Sequence, residues 1–239
     1  MINNKYNFSL KNVQIHWDKV AEEYDHSNDE YSQTHDQRWI EAKKYIDFKP
    51  KMIILDIFCR TGDSIKYIKT GIDIPIIIGA ELSKKMIIKA KKKYLNNSFV
   101  HVSPYKLPFK NNIFDVVLSL ESLEHIPEPF LFLLEIRRVL KPNGRLIMSL
   151  PPSTAEYTSI LVDLFHLHHG EGPHKFLSSK TVKELIQRVD GLELIKHKGT
   201  LFIPVGPTFL KNLGKKIENR IQRTPFNELG IRQFYICKK

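Results

Sequence analysis

The 239-residue sequence predicts an α/β domain with a doubly wound, mostly parallel sheet and helices on both faces. Three observations carry the prediction. Short apolar runs such as Met52-Ile53-Ile54-Leu55-Asp56-Ile57 lack polar alternation, as strands covered on both faces do. Between them, apolar residues recur at helical spacing. The two kinds of segment alternate, which is the order that builds a parallel sheet.

Taken in order, Val13, Trp17, Val20, Ala21 and Tyr24 share one helical stripe and Trp39, Ala42 and Ile46 another, with polar residues 28–36 read as the loop between them. Strands follow at 52–57, 74–80, 98–102, 114–120 and 145–150. Ser83 is placed to accept hydrogen bonds from the free N–H groups of a helix carrying Met86, Ile87, Ala90 and Tyr94. Pro127 suits the first turn of the next helix, and Glu128 its positive end. Arg137, Arg138 and Lys141 complement the other end, and Pro142-Asn143-Gly144 stops it. Ser178 or Ser179 caps a helix with Val182, Leu185, Ile186 and Val189, and strands are expected at 192–195, 201–205 and 233–237. Residues 151–177 and 207–226 stand outside the alternation and are placed to form a substrate lid.

The apolar fraction of 42% is enough to bury a sizeable core. No apolar run is long enough to span a bilayer, and Met1-Ile2-Asn3-Asn4-Lys5 does not resemble a signal peptide. Cys59 and Cys237 are the only cysteines, so a reducing, cytoplasmic setting is expected. The net charge of +11 has two readings. One is an anionic partner: nucleic acid, an acidic lipid surface or a phosphorylated substrate. The other is a basic bias on solvated helix faces, which suits Lys84, Lys85, Lys89, Lys91, Lys92 and Lys93. Lys211, Lys215, Lys216, Arg220 and Arg223 cluster more pointedly, yet no RNA-binding or zinc-finger signature accompanies them.

In an open parallel sheet, ligands bind at the carboxyl ends of the strands. The turn after the first strand reads Leu55-Asp56-Ile57-Phe58-Cys59-Arg60-Thr61-Gly62-Asp63. It resembles the first motif of class I S-adenosylmethionine-dependent methyltransferases of the type 11 kind, whose usual form is L-D-x-G-C-G-x-G. Asp56, Cys59 and Gly62 match, while Phe58 and Arg60 stand at two glycine positions. Gly79-Ala80-Glu81-Leu82-Ser83 resembles the second motif, in which an acidic residue meets the ribose hydroxyls. Leu107-Pro108-Phe109, Phe114-Asp115-Val116-Val117, Leu123-Glu124-His125-Ile126 and the turn Arg138–Leu146 resemble further motifs, and Trp17-Asp18 with Ala21 and Tyr24-Asp25 resembles the helix that closes over the cofactor. The resemblance runs from about residue 16 to 195. Ser103 stands where the family often has an Asp for the adenine.

The resemblance implies one domain over 1–239, with a helical cap at 1–47, a cofactor-binding core at 51–150, the two insertions, and a C-terminal part of the sheet at 178–239 ending in an antiparallel strand. It implies S-adenosyl-L-methionine held by Tyr24, Asp56, Phe58, Cys59, Arg60, Gly62, Glu81, Leu82, Ser103 and Leu120. Asp56 either binds the cofactor or orders the loop. Arg60 either pairs with the cofactor carboxylate or blocks the site. His125 and Glu121 are the candidate catalytic residues, with a structural hydrogen bond as the other reading of His125. His166, His169 and His174 are candidate acceptor-binding residues; with His168 they lack the Cys or carboxylate pattern of a metal site, and no metal is expected.

The Pro-Pro signature of amino-nitrogen methylation is missing after the fourth strand, since Pro151-Pro152 follows the fifth. Methyl transfer to oxygen, carbon or sulfur of a small molecule, sugar or lipid precursor is therefore expected. A catalytically impaired scaffold and an RNA-directed methyltransferase stay open beside it, and the sequence leaves the oligomeric state undetermined.

Overall fold

The structure, a computed structural model, describes residues 8–29, 32–68, 75–153, 172–202, 208–221 and 224–239. Helices α1 (Leu10–Val20), α2 (Tyr24–Asp29) and α3 (Ser32–Lys43) precede β1 (Ile53–Ile57), α4 (Ser64–Ile68), β2 (Ile76–Glu81), α5 (Lys84–Lys93) and β3 (Ser98–His101). Then come β4 (Phe114–Leu120), α6 (Pro129–Val139), β5 (Leu140–Leu150), α7 (Ser179–Gln187), β6 (Glu193–Thr200), α8 (Thr208–Ile221) and β7 (Arg232–Lys238). Among the described residues, short 3₁₀ turns at Leu123–His125 and Pro225–Leu229 lie beyond β4 and α8.

The strands form one seven-stranded sheet in the order β3-β2-β1-β4-β5-β7-β6. β1 pairs in parallel with β2 on one side and β4 on the other, while β7 runs antiparallel to β5 and β6. The doubly wound, mostly parallel sheet with an antiparallel last strand is thus the fold the sequence predicts. Strand order reverses beside β1, so the crevice for a ligand opens at the carboxyl ends of β1, β2 and β4. Successive residues feed opposite cores, as a strand requires. Leu55, Ile57 and Val117 pack with Phe132 and Leu133 of α6, whereas Ile54 and Leu118 pack with Trp39 of α3 and Ile65 of α4.

Several boundaries differ from expectation. Of residues 28–36, the described 28, 29 and 32–36 are helical rather than a loop, and their polar groups find partners: Asn28 Nδ2 donates to the Tyr24 carbonyl at 2.7 Å, and Asp36 accepts from the Tyr67 hydroxyl. Pro129, not Pro127, occupies the first turn of α6, with Glu128 as its N-cap. The fifth strand begins at Leu140 instead of 145, because Phe114 pairs with Leu140 and the chain's last residue satisfies the bend. There Asn143 N–H donates to the Lys239 carbonyl at 2.8 Å, and Lys239 N–H to that of Gly144 at 3.0 Å. β6 runs unbroken to Thr200, so Leu201 and Phe202 lie past it, and 203–205 fall outside the described residues. The described part of 207–226 is helix and 3₁₀ turn rather than an open connection. α8 is fastened by the buried Lys198, whose Nζ lies 2.6 Å from Glu218 and 2.7 Å from Glu41.

α1 docks on α5. Asp18 accepts from Ser83 Oγ at 2.6 Å and from Lys85 N–H at 3.2 Å, supplementing the Ser83 cap on Met86 N–H at 3.1 Å. No helix among the described residues is long and apolar enough to cross a membrane.

Candidate active site

Between Ile57 and Ser64 the chain must leave a buried strand and enter α4. It does so through left-handed backbone at Phe58 (φ 57°), Arg60 (φ 52°) and Gly62 (φ 86°). That conformation is free for glycine and costs other residues roughly 1–2 kcal/mol each. The backbone shape of a glycine loop is kept without two of its glycines. Cys59 N–H donates to the Ala80 carbonyl at 3.2 Å, and Gly62 N–H to that of Cys59 at 2.8 Å. Cys59 wedges against β2, where a Cβ on Gly79 would stand 2.8 Å from its sulfur. Asp56 lies beneath the loop and accepts from Ser64 Oγ at 2.5 Å. Burial pushes its carboxyl up to about 7, against the ionised form that the Ser64 bond favours.

The two substituted side chains diverge. Phe58 turns into the core and meets Phe132 edge-on at 6.4 Å. Arg60 turns onto Glu81: its guanidinium stacks 3.7 Å from the Trp17 ring centre, with Nη1 3.4 Å from Glu81 Oε2. Glu81, the last residue of β2, is fully buried. Its Oε1 accepts from Leu82 N–H at 2.7 Å and Ser83 N–H at 2.9 Å, and Oε2 also accepts from Arg60 N–H at 2.9 Å.

A second charged cluster lies one residue beyond β4. Glu121, at φ 53°, accepts from Arg38 Nη1 of α3 at 2.8 Å and from Arg232 Nε of β7 at 2.5 Å. Burial favours the neutral acid, but Arg232 and Arg38 outweigh it and hold the carboxyl down at about 2. Arg38 also donates to the Tyr24 hydroxyl at 3.3 Å and to His35 Nε2 at 2.5 Å. Arg232 Nη1 donates to Gln37 Oε1 at 2.8 Å. Burial and the Arg38 charge push His35 down to about 2.

His125 Nδ1 donates to the Pro173 carbonyl at 2.9 Å, and its ring meets Trp17 edge-on at 5.4 Å. Burial, reinforced by the Arg60 charge, lowers its pKa to about 3. The ring is therefore neutral at ordinary pH. Between about pH 6.5 and 3 only the unfolded chain takes up this proton, so the interaction stabilises the fold above that window and is lost as pH falls through it. His125→Asn should flatten the stability–pH slope there by up to about 1.4 kcal/mol per pH unit, read from urea unfolding at stepped pH. An unchanged slope would show that the folded protein already protonates the ring.

The segment after the undescribed residues returns across this turn. Lys175 N–H donates to the Glu124 carbonyl at 2.8 Å, and its Nζ to that of Pro127 at 2.6 Å. His174 lies there, its ring 6.1 Å from that of His125 and 4.6 Å from Phe176. His166, His168 and His169 lie outside the described residues. Ser103 is exposed and bridges to Lys106, whereas Leu82 and Leu120 are buried in the two separate cores. Tyr24, Asp56, Arg60, Glu81, Glu121 and His125 thus belong to one end of the sheet. Beside the loop, a polar cleft of about 400 Å³ is lined by Asp25, Asp36, Asp63 and Lys93 among others, with Lys93 Nζ 2.6 Å from Asp63 and 3.4 Å from Asp25.

Sequence reasoning missed His35, Arg38 and Arg232. One signal was present: His35, Arg38 and Glu41 recur every third residue along α3, a polar stripe beside the apolar one.

Residues 55–148 match the family described as Methyltransferase domain. Relatives include a demethylmenaquinone methyltransferase of Thermotoga maritima, 29% identical over 153 residues that make up 62% of this chain and 66% of the relative. A ubiquinone biosynthesis O-methyltransferase of Roseobacter denitrificans is 28% identical over 162 residues, 64% of each chain. The match spans less than two thirds of either relative's length. A solved S-adenosylmethionine-dependent methyltransferase of Thermotoga maritima superposes with a TM-score of 0.70 at 20% identity, over 95% of this chain and 99% of that one. At that identity the likeness is one of fold.

Proposed function

We propose that this chain, whose residues 55–148 match the methyltransferase domain family, is a class I, S-adenosylmethionine-dependent protein that methylates a small-molecule acceptor. The observation that carries the proposal is the loop: Phe58, Arg60 and Gly62 keep glycine-like backbone angles, and the loop ends against a buried carboxylate on β2. A carboxylate suits a vicinal diol, because its two oxygens can accept both hydroxyl hydrogens. The residues present therefore fit the cofactor, with one condition: Arg60 must release Glu81.

Bound S-adenosylmethionine supplies an electrophilic methyl group, so the protein's task is alignment more than acid–base chemistry. Glu81 holds the ribose, with Leu82 as an apolar wall and Ser103 toward the base. Asp56, Phe58, Cys59, Arg60 and Gly62 form the cradle. Tyr24 and Arg38 serve the amino-acid end, where a guanidinium meets a carboxylate. Leu120 lies on the cofactor side, and Glu121, His125 and His174 border the acceptor, with His166 and His169 on the lid of 151–177. With a pKa near 3, His125 is a poor base, which favours an acceptor that arrives already ionised or nucleophilic. The names of the relatives make a quinol-like ring the first acceptor to try, methylated at carbon or oxygen. The whole of 1–239 serves as one domain, with 1–47 as its cap, 207–226 as a second insertion and 178–239 completing the sheet. A second reading, an impaired methyltransferase-like protein, is favoured by Arg60 lying on Glu81.

Calorimetric titration with S-adenosylmethionine and S-adenosylhomocysteine should show saturable binding, and methyl-labelled cofactor should label a quinol analogue. Binding without transfer to any quinol, phenol or thiol would select the impaired reading. No binding would end the methyl-transfer proposal and leave the impaired reading, in which Arg60 closes the ribose position.

A further inference from the structure

Glu81 has no room left for a diol. A carboxylate offers about four lone-pair positions, and four donors already point at this one: the N–H groups of Leu82, Ser83 and Arg60, and Arg60 Nη1. Three of them are backbone and belong to the loop itself. The fourth is a side chain, and it alone can leave without unfolding the turn.

What holds that side chain is the N-terminal helix. Trp17 roofs the guanidinium at 3.7 Å, and Arg60, Trp17 and Glu81 are 6%, 5% and 0% exposed. Planar stacking on an aromatic face together with a carboxylate partner is the environment a guanidinium favours when removed from water. Trp17 is braced on its far sides by Tyr24 at 6.0 Å and His125 at 5.4 Å, both edge-on, and the next residue, Asp18, ties α1 to the start of α5. Arg60 thus joins the floor of the crevice to its cover. It does so from a left-handed backbone at φ 52°, a conformation that only compensating contacts make tolerable in a non-glycine residue.

Resting on the cofactor reading given above, we propose that Arg60 is a built-in competitor for the ribose subsite and that it locks α1 closed as a lid. Its guanidinium occupies the one position on Glu81 Oε2 that a ribose hydroxyl could take, and its stack on Trp17 couples that occupancy to the cap. Cofactor binds only the fraction of molecules in which Arg60 has left Glu81 and α1 has lifted, so measured affinity is the intrinsic affinity reduced by that fraction.

The test compares the full chain with Arg60→Gly and with Trp17→Leu, which removes the roof but keeps the Arg60–Glu81 pair. S-adenosylhomocysteine affinity is read by calorimetry, and amide exchange of Leu10–Val20 by mass spectrometry without ligand. Arg60→Gly should bind about tenfold more tightly, as expected if roughly nine molecules in ten are closed, and α1 should exchange faster. Trp17→Leu should shift both in the same direction by less. Unchanged binding in Arg60→Gly, with the natural chain still binding, overturns the competition, and weaker binding makes Arg60 a ligand instead. Unchanged α1 exchange in both variants overturns the lid. Failure of all three proteins to bind removes the cofactor reading itself, and the competition with it.

Discussion

Glu121→Leu should destabilise the protein by up to about 3–5 kcal/mol, the cost of taking from two buried guanidinium groups the half-buried carboxylate they share. The loss follows from geometry. Arg38 and Arg232 come from α3 and β7, and each places a guanidinium nitrogen within 2.8 Å of the one carboxylate. Remove it, and two buried cations face each other across the carboxyl end of β4. The effect is measured as the fall in urea midpoint at constant m. Glu121→Leu/Arg232→Leu should recover part of it, because the second change removes one of the two cations that Glu121 balanced. The pH dependence has a definite sign. The folded carboxyl sits near 2 and the unfolded one near its ordinary value of about 4.3. The stabilisation is therefore complete above about pH 4.3 and is lost as pH falls through 2. Asp56 acts oppositely: its folded value of about 7 lies above the unfolded one, so its contribution is present at low pH and lost as pH rises from about 4 to 7. In Glu121→Leu the acid limb between about pH 4.3 and 2 should flatten. A stability within about 0.5 kcal/mol of the natural protein, typical of a surface change, would mean that solvent already screens the pair.

Glu81→Ala should lose both cofactor affinity and stability. Losing one charge-assisted hydrogen bond to the ribose costs roughly 1.5–3 kcal/mol of binding. The fold loses more, about 3–5 kcal/mol, because the Arg60 guanidinium is left buried without its anion and the N–H groups of Arg60, Leu82 and Ser83 lose their acceptor. Glu81→Ala/Arg60→Gly separates the two effects. Taking away the stranded cation should restore much of the stability, yet binding should stay weak because the diol still has no carboxylate. If the double variant recovers affinity as well, the ribose is held elsewhere.

The sheet was legible in the sequence because its signals are local. A buried parallel strand needs an unbroken apolar run, so 114–120 could be read from consecutive residues and became β4, Phe114–Leu120. Ser83 could be assigned as a cap because its partner, Met86 N–H, is three residues away. Boundaries failed where remote groups intervened. The start of β5 depends on Lys239, and the helicity of 32–36 on a tyrosine in α4.

The candidate site divides along the same line. Asp56, Glu81 and Gly62 could be located from strand ends and turn chemistry, as could the two departures at Phe58 and Arg60. Where those two side chains would go could not, since a left-handed residue can send its side chain into core, crevice or solvent. Packing against Phe132 decided the first; Trp17 and Glu81 decided the second. The partners of Glu121 lie 83 and 111 residues away in sequence. No periodicity reaches so far. The sequence alone determined the fold class and the order of the helices and strands from β1 to β5, because each follows from neighbours along the chain. Only the tertiary structure decided which charges meet there, because burial makes an unpaired charge too costly and so selects partners by position in space.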